Sequence, residues 1–96
     1  MDAKDYAKYI RTFRALGSEE RLQIVSLLMD GPLCASDVEK QFYMEQSTTS
    51  HHLNTLKKAG ILKSSKQGRH IYFSVDKPAM KSFYNDFLAF MGIING

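Results

Sequence analysis

The chain has one cysteine, Cys34, no tryptophan, and no apolar run long enough to span a membrane. A single cysteine excludes an internal disulfide framework and a four-cysteine zinc site. The N-terminus carries no apolar signal region, so we expect a soluble, cytoplasmic protein with no membrane partner. A nucleophile–base arrangement, a phosphate-cradling glycine loop and paired carboxylates are also missing at usable spacing, so we do not expect an enzyme.

The 96 residues, 44% of them hydrophobic, suffice for one packed domain, which we expect to span 1–96.

Charge is concentrated in one part of the chain. Residues 45–75 contain five basic side chains and one acidic one, a net charge of +4, whereas the remainder has eight and nine, a net charge of −1. A positive segment on a nearly neutral body is expected of a surface that binds a polyanion. On charge alone, a solvated surface explains the pattern equally well.

Hydrophobic periodicity predicts a mainly α (α+β) fold in the order helix, helix, helix, helix, strand, strand, helix. The predicted bounds are 3–16, 19–29, 35–42, 46–59, 61–66, 69–75 and 79–93. Turn residues support them, because Gly17 and Asp30-Gly31-Pro32 fall between helices, Gly60 falls between the fourth helix and the first strand, and Gln67-Gly68 falls between the strands. In the second helix we expect four buried side chains: Leu22, Ile24, Val25 and Leu28.

The first two turns of the fourth helix are uniformly polar and contain no acid. Seven consecutive side chains there can hydrogen-bond: Gln46, Ser47, Thr48, Thr49, Ser50, His51 and His52. A core helix would not have this composition, but the recognition helix of a helix-turn-helix needs it, because short polar groups reach base edges in the major groove. Asn54 and Lys57 extend this surface, and Lys66, Arg69 and His70 of the hairpin could lie along the adjoining backbone. The predicted partner is double-stranded DNA.

Apolar aromatic side chains recur at helical spacing near both ends of the chain. We predict that they form the interface of a homodimer: Tyr6, Tyr9, Phe13, Phe83, Phe87 and Phe90. A monomer of this size cannot readily cover so much apolar surface. A protein-interaction module is the alternative from another class, since winged helices also serve as docking or dimerisation surfaces. The basic segment and the uncharged start of the fourth helix favour DNA.

Three stretches of the sequence resemble the ArsR/SmtB family of winged helix-turn-helix repressors: 16–25, 46–62 and 66–75. The resemblance implies a homodimer formed by the first and last helices. It also implies operator binding by the fourth helix and by the wing, which is the predicted hairpin of residues 61–75, and release when an inducer binds. An operator for such a dimer is expected to be an imperfect palindrome.

The metal sites that the resemblance implies are incomplete. Metal-sensing members carry two cysteines, one residue apart, at the start of the third helix, where this chain has Cys34 and Ser36. A second family site uses Asp and His from the last helix, which here has Asp76 and Asp86 but no histidine. We therefore predict no metal site and no cofactor, and the inducer stays unknown.

Cys34 has two interpretations. At the N-terminus of the third helix, the helix dipole favours a reactive thiolate, which would suit a redox-sensing repressor. The alternative is a small, partly buried residue at a capping position. We favour the second interpretation, because the chain has no resolving cysteine.

Overall fold

The computed structural model describes residues 3–96 and confirms the predicted mainly α fold with a two-stranded wing. Met1 and Asp2, which the predicted domain includes, lie outside the described residues. The elements are α1 (Ala3–Leu16), α2 (Glu19–Leu28), β1 (Leu33–Cys34), α3 (Ala35–Phe42), α4 (Gln46–Lys58), β2 (Leu62–Gln67), β3 (His70–Val75) and α5 (Lys77–Phe90). No helix among residues 3–96 is long and apolar enough to cross a membrane.

A short strand that the sequence did not reveal, β1, completes a three-stranded antiparallel sheet of order β1-β3-β2. Leu33 pairs with Phe73, and Cys34 pairs with Tyr72. Two residues are too few to show an alternating pattern, and Gly31 and Pro32 just before them are typical of a loop. The strand ties the start of α3 directly to the wing.

Capping and turn residues set the remaining differences from the predicted bounds. The carboxylate of Asp76 accepts a hydrogen bond from the Ala79 backbone N–H at 3.1 Å, so α5 begins two residues earlier than predicted, with Pro78 in its first turn. It also ends at Phe90, short of the predicted 93. In the hairpin, β2 extends through Gln67, so the turn is formed by Gly68 and Arg69.

The core lies between α2, α3, α4 and the base of the wing. Its fully buried side chains include Ile24, Val38, Leu53 and Leu56. Each contributes about 1.5–3 kcal/mol by leaving water. The prediction that Leu22 is buried is wrong, since that side chain is 51% exposed. It lies roughly 100° around α2 from the inward face that Ile24, Val25 and Leu28 share.

The aromatic side chains of α1 and α5 pack against each other within one chain. Tyr9 is the centre of this cluster, with its ring centroid 4.6 Å from that of Phe90 and 5.5 Å from that of Phe87. Phe13 also lies 4.8 Å from Phe87, and Tyr6 lies 5.5 Å from Phe90. Tyr9 is only 9% exposed, so the prediction that it faces a partner subunit is wrong: α5 of its own chain covers the ring.

Candidate nucleic-acid interface

The helix-turn-helix is formed by α3 and α4, joined by residues 43–45 as predicted. Val38 of α3 and Leu53 of α4 are both buried in the common core, which fixes the two helices against each other. Tyr43 ends α3 in the left-handed conformation, with φ 52° and ψ 42°, and its side chain is 97% exposed. The Met44 N–H closes the turn on the Glu39 carbonyl at 3.0 Å.

One face of α4 is exposed along its whole length, and its side chains are all polar or basic. Buried residues at 49, 52, 53 and 56 occupy the opposite face. The exposed face carries Ser47, Ser50, His51, Asn54, Lys57 and Lys58. Hydroxyl, imidazole and amide groups therefore occupy the N-terminal part, and lysines follow at the C-terminal end. This order suits a helix whose N-terminal part contacts base edges and whose C-terminal lysines contact phosphates.

Two side chains predicted to contact DNA are buried, so those two predictions are wrong. Thr49 is fully buried, and its hydroxyl donates to the Glu45 carbonyl at 3.0 Å. His52 is 9% exposed, and its ring is held between Arg21 and Glu20. Their spacing with Leu53 and Leu56 is the signal that could have revealed this, because i, i+3, i+4, i+7 marks one helix face.

The remaining predicted side chains of α4 lie at the surface. Gln46 is exposed at the first position of the helix, and Thr48 is half-buried at the edge of the exposed face. The Glu45 side chain at the N-cap makes no capping hydrogen bond, and the first turn contains no acid. The backbone N–H groups of that turn are therefore not capped by this side chain, which is the arrangement that favours a phosphate.

The wing residues predicted to contact DNA are all exposed, but they do not share one face. Lys66 pairs with Ile71 across the hairpin, whereas Gln67 pairs with His70. Because successive residues of a strand point to opposite sides, Lys66 and His70 lie on opposite faces of the wing. Arg69 lies in the turn at the tip, next to Gly68, whose φ of 63° is the left-handed conformation that glycine adopts without strain.

Comparison with known proteins identifies the family. Residues 18–64 match the family described as bacterial regulatory protein, arsR family. An HTH-type transcriptional regulator of Methanocaldococcus jannaschii is 42% identical over 73 residues, which cover 74% of this chain and 82% of that protein. The transcriptional repressor SdpR of Bacillus subtilis is 32% identical over 79 residues, covering 82% and 88%. The chain belongs to the ArsR family.

Membership confirms the resemblance seen in the sequence and makes the chain a DNA-binding transcriptional regulator. The family and its named relatives are regulators rather than enzymes. A solved structure from Mycobacterium bovis, described as a homodimeric winged helix-turn-helix DNA-binding domain, matches with a TM-score of 0.77 and 24% identity, over 93% of this chain and 85% of that one. At that identity the match shows the fold.

In this ArsR-family chain, Cys34 is half-buried at the N-cap of α3 but makes no side-chain capping bond. Its thiol donates to the Asp37 carboxylate at 3.0 Å and lies 3.1 Å from the Ser36 hydroxyl. The thiol hydrogen bond is the main reason that the pKa of Asp37 lies below the usual 3.8. Across the part of the chain that is described, no three His, Cys, Asp or Glu side chains cluster closely enough to hold a metal ion.

Proposed function

We propose that this ArsR-family regulator is a cytoplasmic repressor that binds an imperfect palindromic operator as a homodimer. Residues 1–96 would form a single winged helix-turn-helix domain with dimerisation helices at both ends. The observation that carries the proposal is the division of α4 into a buried face and a fully exposed face of polar and basic side chains. A helix that only packs against the core, or that is only exposed to solvent, does not need neutral hydrogen-bonding groups concentrated at its N-terminal end.

Within the proposed complex, the exposed face of α4 enters the major groove. Ser47, Ser50, His51 and Asn54 would read base edges, because they are exposed and lie on one side of the helix. The other surface residues that are predicted to bind DNA would contact the sugar–phosphate backbone: Gln46, Thr48, Lys57, Lys66, Arg69 and His70. Base contacts give sequence preference, whereas phosphate contacts give affinity and its dependence on salt.

A second apolar stripe on α5 supports the homodimer. Tyr84 and Met91 are 58% and 56% exposed, and with Leu88 they lie about 100° around the helix from the rings that contact α1. On α1, Tyr6 and Phe13 also keep 48% and 40% of their surface exposed. Contiguous apolar surface of this kind usually marks an interface. The homodimeric description of the Mycobacterium bovis domain agrees with this assignment.

The experiment that tests the proposal starts by selecting tight-binding duplexes from a random pool. We expect an imperfect palindrome whose half-sites are separated by about one helical turn. Fluorescence anisotropy at fixed salt then compares the selected duplex with a scrambled one. Replacing both Ser50 and His51 with alanine should cost about 1–3 kcal/mol per lost base contact and reduce the preference for the selected sequence.

The matched control replaces Gln23 and Ser26 of α2 with alanine, which removes two exposed polar groups from a different helix. This control should bind both duplexes as the parent does. A double variant of α4 that still discriminates the two duplexes like the parent would remove α4 from its proposed role.

A further inference from the structure

The face of α4 opposite the proposed DNA surface is anchored by two charged residues from α2. We propose that Arg21 and Glu20 position the recognition helix by holding the His52 ring between them, so that loss of the Arg21–His52 contact lowers the preference of α4 for its operator sequence. This inference rests on the proposed reading of DNA by α4. His52 is buried and cannot reach DNA itself, so it is a positioning residue.

Arg21 joins three elements through one guanidinium group. Its Nε donates to the Ala15 carbonyl at 2.7 Å, and its Nη2 donates to the Arg14 carbonyl at 3.2 Å. These are carbonyls of the last turn of α1, which favours a nearby cation, and the Arg14 carbonyl also accepts from the Gly17 N–H at 3.2 Å. The third contact runs from Nη1 to Nδ1 of His52 at 3.2 Å. The end of α1, the start of α2 and the middle of α4 are therefore held by one planar fork, which a lysine cannot reproduce.

The contacts of His52 determine which ring nitrogen carries the proton. Arg21 has only N–H donors, so Nδ1 of His52 must accept its hydrogen bond. Nε2 lies 2.9 Å from the Glu20 carboxylate, which can only accept, so Nε2 carries the proton and donates. The two contacts together therefore fix one tautomer and one orientation of the ring.

The charged groups around His52 come from each element that packs against it. Glu20 and Arg21 approach from α2, and the ring of His51, with its centroid 5.9 Å away, is next to it on α4. From α1, Arg11 and Arg14 line the same cleft as Arg21, together with Lys58 of α4. Of these charged side chains, Arg21 and Glu20 contact the His52 ring itself.

A change at His52 affects DNA binding because α4 moves as a rigid helix. His52 follows His51 directly, and Asn54 lies two residues further on, so a rotation of α4 about its axis moves every exposed side chain of the proposed reading surface. Direct readout needs hydrogen-bond geometry within a few tenths of an ångström. Loosening the Arg21–His52 contact should therefore reduce affinity for the selected duplex more than affinity for a scrambled one.

The test measures affinity for the selected and the scrambled duplex, at one pH and one salt concentration, for the full chain, Arg21→Lys and His52→Gln. Arg21→Lys keeps the charge but cannot make the three directed contacts of the guanidinium group. His52→Gln is the conservative control, because a glutamine amide can accept from Arg21 and donate to Glu20. We expect the preference for the selected duplex to fall about tenfold in Arg21→Lys and to be retained in His52→Gln.

Nitrogen-15 NMR of the histidine rings gives a second readout that does not depend on DNA. We expect Nε2–H for His52 at neutral pH, and the same tautomer in His51→Gln, which removes the neighbouring ring without touching the network. An unchanged preference for the selected duplex in Arg21→Lys, or an Nδ1–H tautomer, would overturn the inference while leaving DNA binding by α4 intact. Loss of sequence-specific binding by the parent itself would instead contradict the proposed function.

Discussion

The Cys34 thiol donates a hydrogen bond to the Asp37 carboxylate across 3.0 Å, one turn into α3. This hydrogen bond is the largest cause of the lowered pKa of the Asp37 carboxyl group, and it gives the sulfur a partner inside its own helix. A small, half-buried and hydrogen-bonded residue at the start of α3 is what the structural interpretation of Cys34 expects.

The first prediction concerns the titration of Asp37. In Cys34→Ala the pKa of Asp37 should rise towards 3.8, because the hydrogen bond that contributes most to lowering it is lost. A folded-state pKa below the unfolded value adds stability above the unfolded pKa, and this stability is lost as the pH falls through the folded value. The parent should therefore lose more stability than Cys34→Ala in acid below about pH 4. Carbon-13 NMR of the carboxyl groups measures the pKa directly, and an unchanged Asp37 in the variant would contradict the assignment.

The second prediction concerns the turn of the helix-turn-helix. Tyr43 adopts φ 52°, and it is 97% exposed. Replacing its side chain would therefore remove almost no packing contact. The left-handed conformation costs an L-residue roughly 1–2 kcal/mol, whereas glycine adopts it freely but loses more entropy on folding. Tyr43→Gly should therefore raise the free energy of unfolding by about 0.5–1 kcal/mol. Tyr43→Phe keeps the strain and serves as the control, and equal urea midpoints for the two variants would refute the explanation.

Much of the fold could be predicted because its signals are local. The predicted bounds of α1 and α3 agree with the structure, since apolar spacing, Gly17 and the turn before Leu33 all lie within a few residues of the helix ends. The strand β1 could not be predicted, because its two residues are defined only by pairing with β3, far along the chain. Similarly, the extent of α5 depends on whether Asp76 caps it.

The candidate site was predicted less accurately for a related reason. A run of hydrogen-bonding side chains predicts an exposed surface, but polar groups can also find hydrogen-bond partners inside the protein. Thr49 uses the carbonyl four residues before it, and His52 uses Glu20 and Arg21, which are more than 30 residues away in the sequence. A partner four residues away can be inferred from the sequence, whereas one more than 30 residues away cannot. The hydrogen-bond partner of Thr49 was therefore predictable, but the partners of His52 were not.

The third prediction concerns the wing. Lys66→Ala and Arg69→Ala should weaken binding to selected and scrambled duplexes equally, because phosphate contacts carry no sequence information. Each should lower the slope of log affinity against log salt by about 0.9. Lys81→Ala on α5 removes the same charge from an exposed position outside the wing and should leave the slope unchanged. Equal slopes for all three variants would place the wing away from the phosphates.

The fourth prediction concerns the interface on α5. Removing α5 would also strip Tyr9 and Phe13 of their ring contacts within the chain, so a point substitution is the cleaner test. Tyr84→Glu places a charge on an exposed apolar stripe, and a two-fold interface would contain it twice. We expect a dissociation constant at least about tenfold higher by sedimentation. Asn85→Glu adds the same charge about 100° away around the helix and should stay dimeric. Identical sedimentation of the two variants would move the interface elsewhere.

The last prediction is that zinc, cadmium and arsenite do not release DNA at stoichiometric concentrations. Soft ions need several thiolates, and each subunit offers only Cys34, whose neighbour Ser36 has a hydroxyl that stays protonated near neutral pH. Ions that prefer nitrogen and oxygen would need histidines, yet α5 has none and His52 is already bound to Arg21 and Glu20. Anisotropy of the DNA complex during metal titration measures this directly. Release by one or two ions per dimer that vanishes in Cys34→Ser would show a metal sensor, whereas release by peroxide with the same dependence would favour the redox alternative. We expect neither, which leaves an organic ligand or the abundance of the protein as the signal.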